Sequence, residues 1–141
     1  MKPQKSDHVK TKFQVASDLG NIQKVSTDVL SFLEPLSLSS DIRFDIRLCL
    51  EEALINAMKY GNALRKELSV DLEVETSPGQ IRILVEDRGN GFDIKKIKDC
   101  TEEENLLRSG GRGVHLMHHL MDEVKYNEKG NQVLLVKRLK K

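Results

Sequence analysis

The chain has 141 residues, the length of a single domain with one hydrophobic core. Hydrophobic residues make up 38% of it and charged residues 32%, a balance typical of a folded soluble protein and not of a disordered one. The formal net charge of +1 creates no field that would attract nucleic acid or an anionic membrane, so we expect neither as a direct partner.

Cysteine usage and the first residues favour a cytoplasmic, reducing location. Cys49 lies in an apolar helical stretch and is expected in the core, whereas Cys100 lies in a polar segment; the two could in principle pair, but their spacing matches no metal or redox motif. No signal-peptide core is apparent, and no stretch approaches the roughly 20 apolar residues of a membrane span. We expect one domain over residues 1–141, with residues 1–7 disordered.

The first half of the chain predicts one strand and two helices. Val9 to Val15 alternates apolar and polar residues, as a half-buried strand does. A first helix can be capped at 17–18 and end near 34–35, and a longer helix can begin within 39–41 and end at Gly61. Apolar residues recur at helical spacing in both helices, so each is expected to bury one face.

The second half predicts mainly strands. In order, the predicted elements are a strand over 68–75, a turn at 78–79, a strand over 81–85, a helix over 114–121 and strands over 123–127 and 132–138. Residues 88–113 lack apolar periodicity, and so long an irregular stretch is usually functional or mobile. Strand pairs joined by turns, with clustered helices, predict an α+β two-layer sandwich whose mixed or antiparallel sheet carries helices on one face.

Glu52 and Asn56 form the first candidate site. They lie four residues apart on the second helix, so they project from one face beside an apolar stripe. A carboxylate with an amide oxygen suits Mg²⁺, a hard cation that prefers oxygen ligands. The alternative is an exposed glutamate and an asparagine on the helix surface.

The second candidate site directly follows an apolar strand and consists of Asp87, Gly89 and Gly91. Glycines there suit a positive φ and a close backbone approach, which would let a planar ring slide against the backbone while the aspartate accepts a hydrogen bond from its amino group. An ordinary loop or a calcium-like turn would explain the same residues.

The third candidate is the segment from Arg108 to Val114. Gly111 and Gly113 precede a short helix, whose free N–H groups and positive dipole end suit a phosphate. Arg108 and Arg112 could add charge-assisted bonds to the same anion. The alternative is a flexible loop followed by a helix.

Together these segments resemble the GHKL ATPase superfamily, which has the Bergerat fold. Glu52–Ala57 matches its N box, Asp87–Phe92 its first glycine box and Gly111–Val114 its second. The resemblance extends from about Val9 to Lys137. It is most specific to the anti-sigma-factor serine/threonine kinase branch, through the N box with Gly61 and Asn62, the run Arg108–Val114, and Leu120–Val124.

The resemblance implies that the chain binds ATP and Mg²⁺. Asn56 would hold the Mg²⁺ that bridges the phosphates, and Glu52 would be the general base that deprotonates the attacking hydroxyl. Asp87 would accept a hydrogen bond from the adenine amino group, with Gly89 and Gly91 letting the ring approach.

The resemblance also implies roles beyond the N box. Gly111 and Gly113 would lie over the phosphates, residues 93–110 would form the lid, and Arg108 would contact the γ-phosphate or a partner. Tyr60 departs from the pattern, because relatives often carry histidine there.

The function implied is a kinase that phosphorylates an antagonist protein of the anti-anti-sigma type and sequesters a sigma factor or similar regulator, usually as a homodimer. Apolar residues of the first strand and helix could supply the dimer interface. One alternative is a binding module in which ATP only shapes a docking surface. Another is the detached catalytic domain of a sensor histidine kinase.

Overall fold

The computed structural model describes residues 8–89 and 116–139 of the chain. The elements are β1 (Val9–Ala16), α1 (Ile22–Phe32), α2 (Ser40–Asn56), β2 (Ser69–Ser77), β3 (Gln80–Glu86), β4 (Glu123–Tyr126) and β5 (Gln132–Arg138). Residues 116–120 are also helical. The strands form one sheet of order β1-β2-β3-β5-β4, and every neighbouring pair is antiparallel. The predicted α+β sandwich is confirmed.

Local side chains determine where the two long helices begin. The Asp18 side chain caps a single 3₁₀ turn, Leu19–Asn21, so α1 begins at Ile22, later than predicted. Ser39 Oγ accepts a hydrogen bond of 3.2 Å from the backbone N–H of Ile42 and caps α2, within the predicted range.

The core lies between the inner face of the sheet and the helices. Alternate residues of the central strands point into it, as the period of two in their sequences predicts. Its sheet side consists of Val70, Leu72, Val74, Ile81, Ile83, Val85, Val133 and Leu135. Cys49 is fully buried among helix residues, as predicted, and burial raises the pKa of its thiol to about 12. In the part of the chain that the structure describes, no helix combines the length and apolar character needed to cross a membrane.

The helix α2 ends in a wider turn than an α-helix allows. Residues Ala57–Gly61 form a π turn, closed by a 2.8 Å hydrogen bond from the Asn62 N–H to the Ala57 carbonyl. The helical path therefore stops at Gly61, as predicted, but as one π turn. Turns of this kind occur frequently at functional sites.

The antiparallel register brings several strand ends together at one end of the sheet. Ala16 pairs with Ser69, so the end of β1 lies beside the start of β2. Glu86 pairs with Gln132, so the end of β3 lies beside the start of β5. The loop after β3 and the turn before β5 consequently meet there, close to the end of α2.

Candidate functional site

Asn56 and Asp87 line one narrow crevice at this end of the sheet. Asn56 is the last residue of α2, and Asp87 directly follows β3. The other lining residues come from the end of α2, β3 and the β4–β5 hairpin: Ala53, Ala57, Val85, Tyr126, Gly130, Asn131, Gln132 and Val133. Two candidate motifs that are distant in the sequence are thus adjacent in the fold.

The Asn56 side chain is buried without a hydrogen-bond partner. It is 2% exposed, and neither its Oδ1 nor its Nδ2 is bonded within the described part of the chain. Leaving a buried polar group unsatisfied costs roughly 1–3 kcal/mol, so folding alone does not favour asparagine here. The alternative of a helix-surface asparagine is wrong. A buried amide oxygen with no donor among the described residues fits a hard cation such as Mg²⁺.

Glu52 precedes Asn56 by one helical turn on the same side of α2. It is partly buried, and its spacing of four residues from Asn56 puts both residues on one face of the helix. Its neighbour Glu51 differs, because Glu51 accepts hydrogen bonds from Ser26 Oγ at 2.7 Å and Arg47 Nε at 3.2 Å. Glu51 therefore joins the two helices, while Glu52 faces the side that carries Asn56.

Asp87 is a buried carboxylate with a single side-chain hydrogen bond from the described residues. It is 3% exposed, and its Oδ1 accepts a 2.9 Å hydrogen bond from the Gly89 N–H. Its Oδ2 accepts none from the described residues. Burial raises the pKa of Asp87 to about 6, which the Gly89 hydrogen bond and the charge of Lys129 partly oppose. A carboxylate in this state is suited to accept a hydrogen bond from a ligand amino group.

The Asp87 backbone is held by the hairpin between β4 and β5. Its N–H donates to the Asn131 carbonyl at 2.8 Å, and Asn131 Nδ2 donates to the Asp87 carbonyl at 3.3 Å. Gly130 lies in the turn between the strands predicted over 123–127 and 132–138 and has a φ of 78°. Asn131 lies in the same turn, and no pattern in the sequence indicated its role at the site.

Gly89 is required for space. A Cβ on Gly89 would overlap the Gly61 carbonyl, and a Cβ on Gly61 would overlap the Asp87 carboxylate. The close backbone approach at Gly89 is to Gly61, whereas the predicted approach of a planar ring stays a prediction. The predicted positive φ is wrong at Gly89, whose backbone lies outside the left-handed region, because the packed neighbour and not the backbone angle excludes a side chain.

Asn62 is a buried polar residue for which the sequence motifs predict no function. It is 1% exposed and hydrogen-bonded to chain segments on both sides of the site. Only its position after Gly61 in the N-box pattern singled it out. Tyr60 is 42% exposed and does not line the crevice.

The remaining predicted site residues lie outside the described part of the chain. They are Gly91, Arg108, Gly111, Arg112, Gly113 and Val114, together with the lid predicted over 93–110. Within the described ranges, no group of three or more His, Cys, Asp or Glu side chains could hold a metal ion.

Comparison with known proteins agrees with this geometry. The model of the histidine kinase-like ATPase domain matches residues 15–137. Serine-protein kinase RsbW of Staphylococcus epidermidis is 33% identical over 105 residues, which cover 69% of this chain and 66% of that protein. Serine-protein kinase RsbW of Staphylococcus aureus strain MRSA252 is 32% identical with the same coverage. The chain thus spans 66% of the length of these relatives. The resemblance to the superfamily and to its serine kinase branch is confirmed, and the chain belongs to the histidine kinase-like ATPase domain family.

Proposed function

We propose that this chain is an ATP-dependent kinase that phosphorylates a serine or threonine of an antagonist protein. The observation that carries the proposal is the shared crevice, where the amide of Asn56, unpartnered among the described residues, and the carboxylate of Asp87 are both buried. The relatives' name, serine-protein kinase, supports a hydroxyl acceptor over a histidine.

Asp87 is proposed to bind the adenine end of ATP. Its Oδ2, which accepts no hydrogen bond from the described residues, accepts one from the adenine amino group, while the Gly89 N–H holds Oδ1. By resemblance, the missing side chain at Gly91 lets the flat ring approach the backbone, while the space beside Gly89 is filled by the Gly61 carbonyl. Adenine binding then compensates for the unfavourable burial of the Asp87 charge.

Asn56 is proposed to bind the phosphate end through Mg²⁺. Its unpartnered Oδ1 is the ligand that a hard cation requires. When bound, Mg²⁺ neutralises charge on the phosphate oxygens. By resemblance, Gly111 and Gly113 offer backbone N–H groups to the phosphates, and Arg108 and Arg112 add positive charge.

Glu52 is proposed as the general base. It takes the proton of the acceptor hydroxyl as that oxygen bonds to the γ-phosphorus, and the bond from the γ-phosphorus to the β–γ bridging oxygen breaks to release ADP. Because phosphoryl transfer depends mainly on positioning and charge, the base adds a factor of roughly 10²–10⁴ to the rate. Its place one turn from Asn56 supports this role.

The proposed partners are the antagonist protein and a sigma factor or similar regulator that the unoccupied kinase sequesters. A homodimer is proposed, with its interface on β1 and α1. The strand β1 is an edge strand whose outer edge is unpaired within the described sheet, and Leu19, just before α1, is 44% exposed.

Transfer of label from γ-labelled ATP tests the proposal. Purified protein with Mg²⁺ and an antagonist encoded by a neighbouring gene should produce labelled antagonist, with the label on serine or threonine. Absence of transfer to every such antagonist would reject the kinase function. If Glu52→Gln abolishes transfer but leaves partner regulation intact, the binding-module alternative is correct.

A further inference from the structure

The Asn62 side chain joins the site loop to the edge of the sheet. Its Oδ1 accepts a 2.7 Å hydrogen bond from the Arg88 N–H. Its Nδ2 donates to Ser17 Oγ at 2.8 Å and to the backbone carbonyls of Ser69 at 3.0 Å and Leu68 at 3.3 Å. Every hydrogen-bonding group of this buried amide is therefore used, in contrast to that of Asn56.

The bond to Arg88 acts on the proposed adenine-binding loop. Arg88 lies between Asp87 and Gly89, so fixing its N–H fixes the peptide plane that directly follows Asp87. Gly61, the residue before Asn62, lies against the Asp87 carboxylate, so a side chain on Gly61 would overlap that carboxylate. The Gly61–Asn62 segment therefore restricts both the backbone and the carboxylate position of Asp87.

The anchor on the other side of Asn62 is buried and hydrogen-bonded. Ser17 is 1% exposed and donates a 2.6 Å hydrogen bond to the Leu68 carbonyl, which joins the end of β1 to the start of β2. Asn131 holds the Asp87 backbone from the opposite side. The loop is thus fixed between two strand pairs before any ligand arrives.

We propose that Asn62 is a positioning residue for purine recognition. It holds the loop so that the Asp87 carboxylate faces a 6-amino group, as in adenine, and repels the 6-carbonyl oxygen of guanine. This inference rests on the proposed function, because it concerns the purine end of the same ATP site. A purely structural role would change stability without changing the preference between purines.

The test compares Asn62→Ala with Ile81→Val, a core variant at the far end of β3. Dissociation constants for ATP, ADP and GTP are measured by calorimetry at a temperature where circular dichroism shows both variants folded. Asn62→Ala should weaken ATP and ADP binding by the same factor of about ten, because it affects the purine and not the phosphates, and should lower the preference for ATP over GTP. Ile81→Val should leave all three constants unchanged.

A second measurement uses only the wild-type protein. Hydrogen exchange at the Arg88 amide should be slow without nucleotide, because Asn62 already accepts its hydrogen bond. An amide that is unprotected until ATP is added would overturn the inference, as would unchanged purine preference in Asn62→Ala. Wild-type protein that binds no ATP would instead reject the proposed function itself, even with the Arg88 amide protected.

Discussion

The carbonyl oxygen of Gly61 lies in the space that a side chain on Gly89 would need. The end of α2 and the loop after β3 are in backbone contact there, next to the Asp87 carboxylate. Because this contact leaves no space for another atom, the two segments can pack together only if Gly61 and Gly89 both lack a side chain.

Replacement of Gly89 by alanine should therefore destabilise the protein. Forcing a methyl group into this contact should lower the free energy of unfolding by about 1–3 kcal/mol and weaken ATP binding. Urea unfolding measures the first effect. Gly20→Ala is the matched control, because its Cβ would meet only the Asp18 side chain at 3.3 Å. Equal stability of the two variants would contradict the packing described here.

The raised pKa of Asp87 predicts an unusual dependence of stability on pH. Its value of about 6 lies above the ordinary 3.8, so between these values the folded state binds more protons than the unfolded state. This contribution to the free energy of unfolding is fully present below about 3.8 and is lost as pH rises through about 6.

Asp87→Asn should remove the loss of stability that ionisation of Asp87 causes at higher pH. At pH 7.5 the variant should be more stable than wild type by on the order of 1–3 kcal/mol, and the difference should shrink towards pH 4. Urea unfolding of both proteins across this pH range measures the difference in their free energies of unfolding. The other carboxylates affect both proteins alike, so their effect drops out of this difference. A variant that is less stable than wild type at pH 7.5 would show that the charge is not buried at a cost.

Glu52 and Glu51 are neighbours on α2 with different surroundings, which provides a matched pair. Glu52→Gln should lower the rate of phosphoryl transfer about 10²–10⁴-fold and change the ATP dissociation constant less than about three-fold. Glu51→Gln, which weakens bonds to Ser26 and Arg47, should retain the transfer rate. Labelled-ATP assays at saturating ATP measure both. If the two variants lose activity equally, Glu52 is not the base.

The elements could be predicted because their signals are local. Alternation defined β1 within one residue, and a serine at position 39 indicated the start of α2. The late start of α1 was missed because Asp18 first caps a 3₁₀ turn, and the π turn because it forms where α2 meets the Asp87 loop.

The site could be predicted where a motif carries chemistry, as at Asn56 and Asp87, which the fold brings into one crevice. The role of Asn62 could not be predicted. Its partners are two strand ends and a loop, and only the pairing of β1 with β2 and β2 with β3 brings them together. The predicted positive φ at Gly89 was wrong for the same reason. The Gly61 carbonyl, a neighbour in the fold and not in the sequence, is what excludes a side chain at Gly89.

Calorimetric titration of ATP with and without Mg²⁺, using wild type, Asn56→Ala and Asp87→Asn, shows whether Asn56 and Asp87 hold opposite ends of one nucleotide. We expect Mg²⁺ to strengthen ATP binding to wild type, Asn56→Ala to bind no better with Mg²⁺ than without it, and Asp87→Asn to bind poorly in both conditions. If Asn56→Ala keeps the full Mg²⁺ effect, or Asp87→Asn binds as wild type does, the two ends of the crevice do not hold the two ends of the nucleotide.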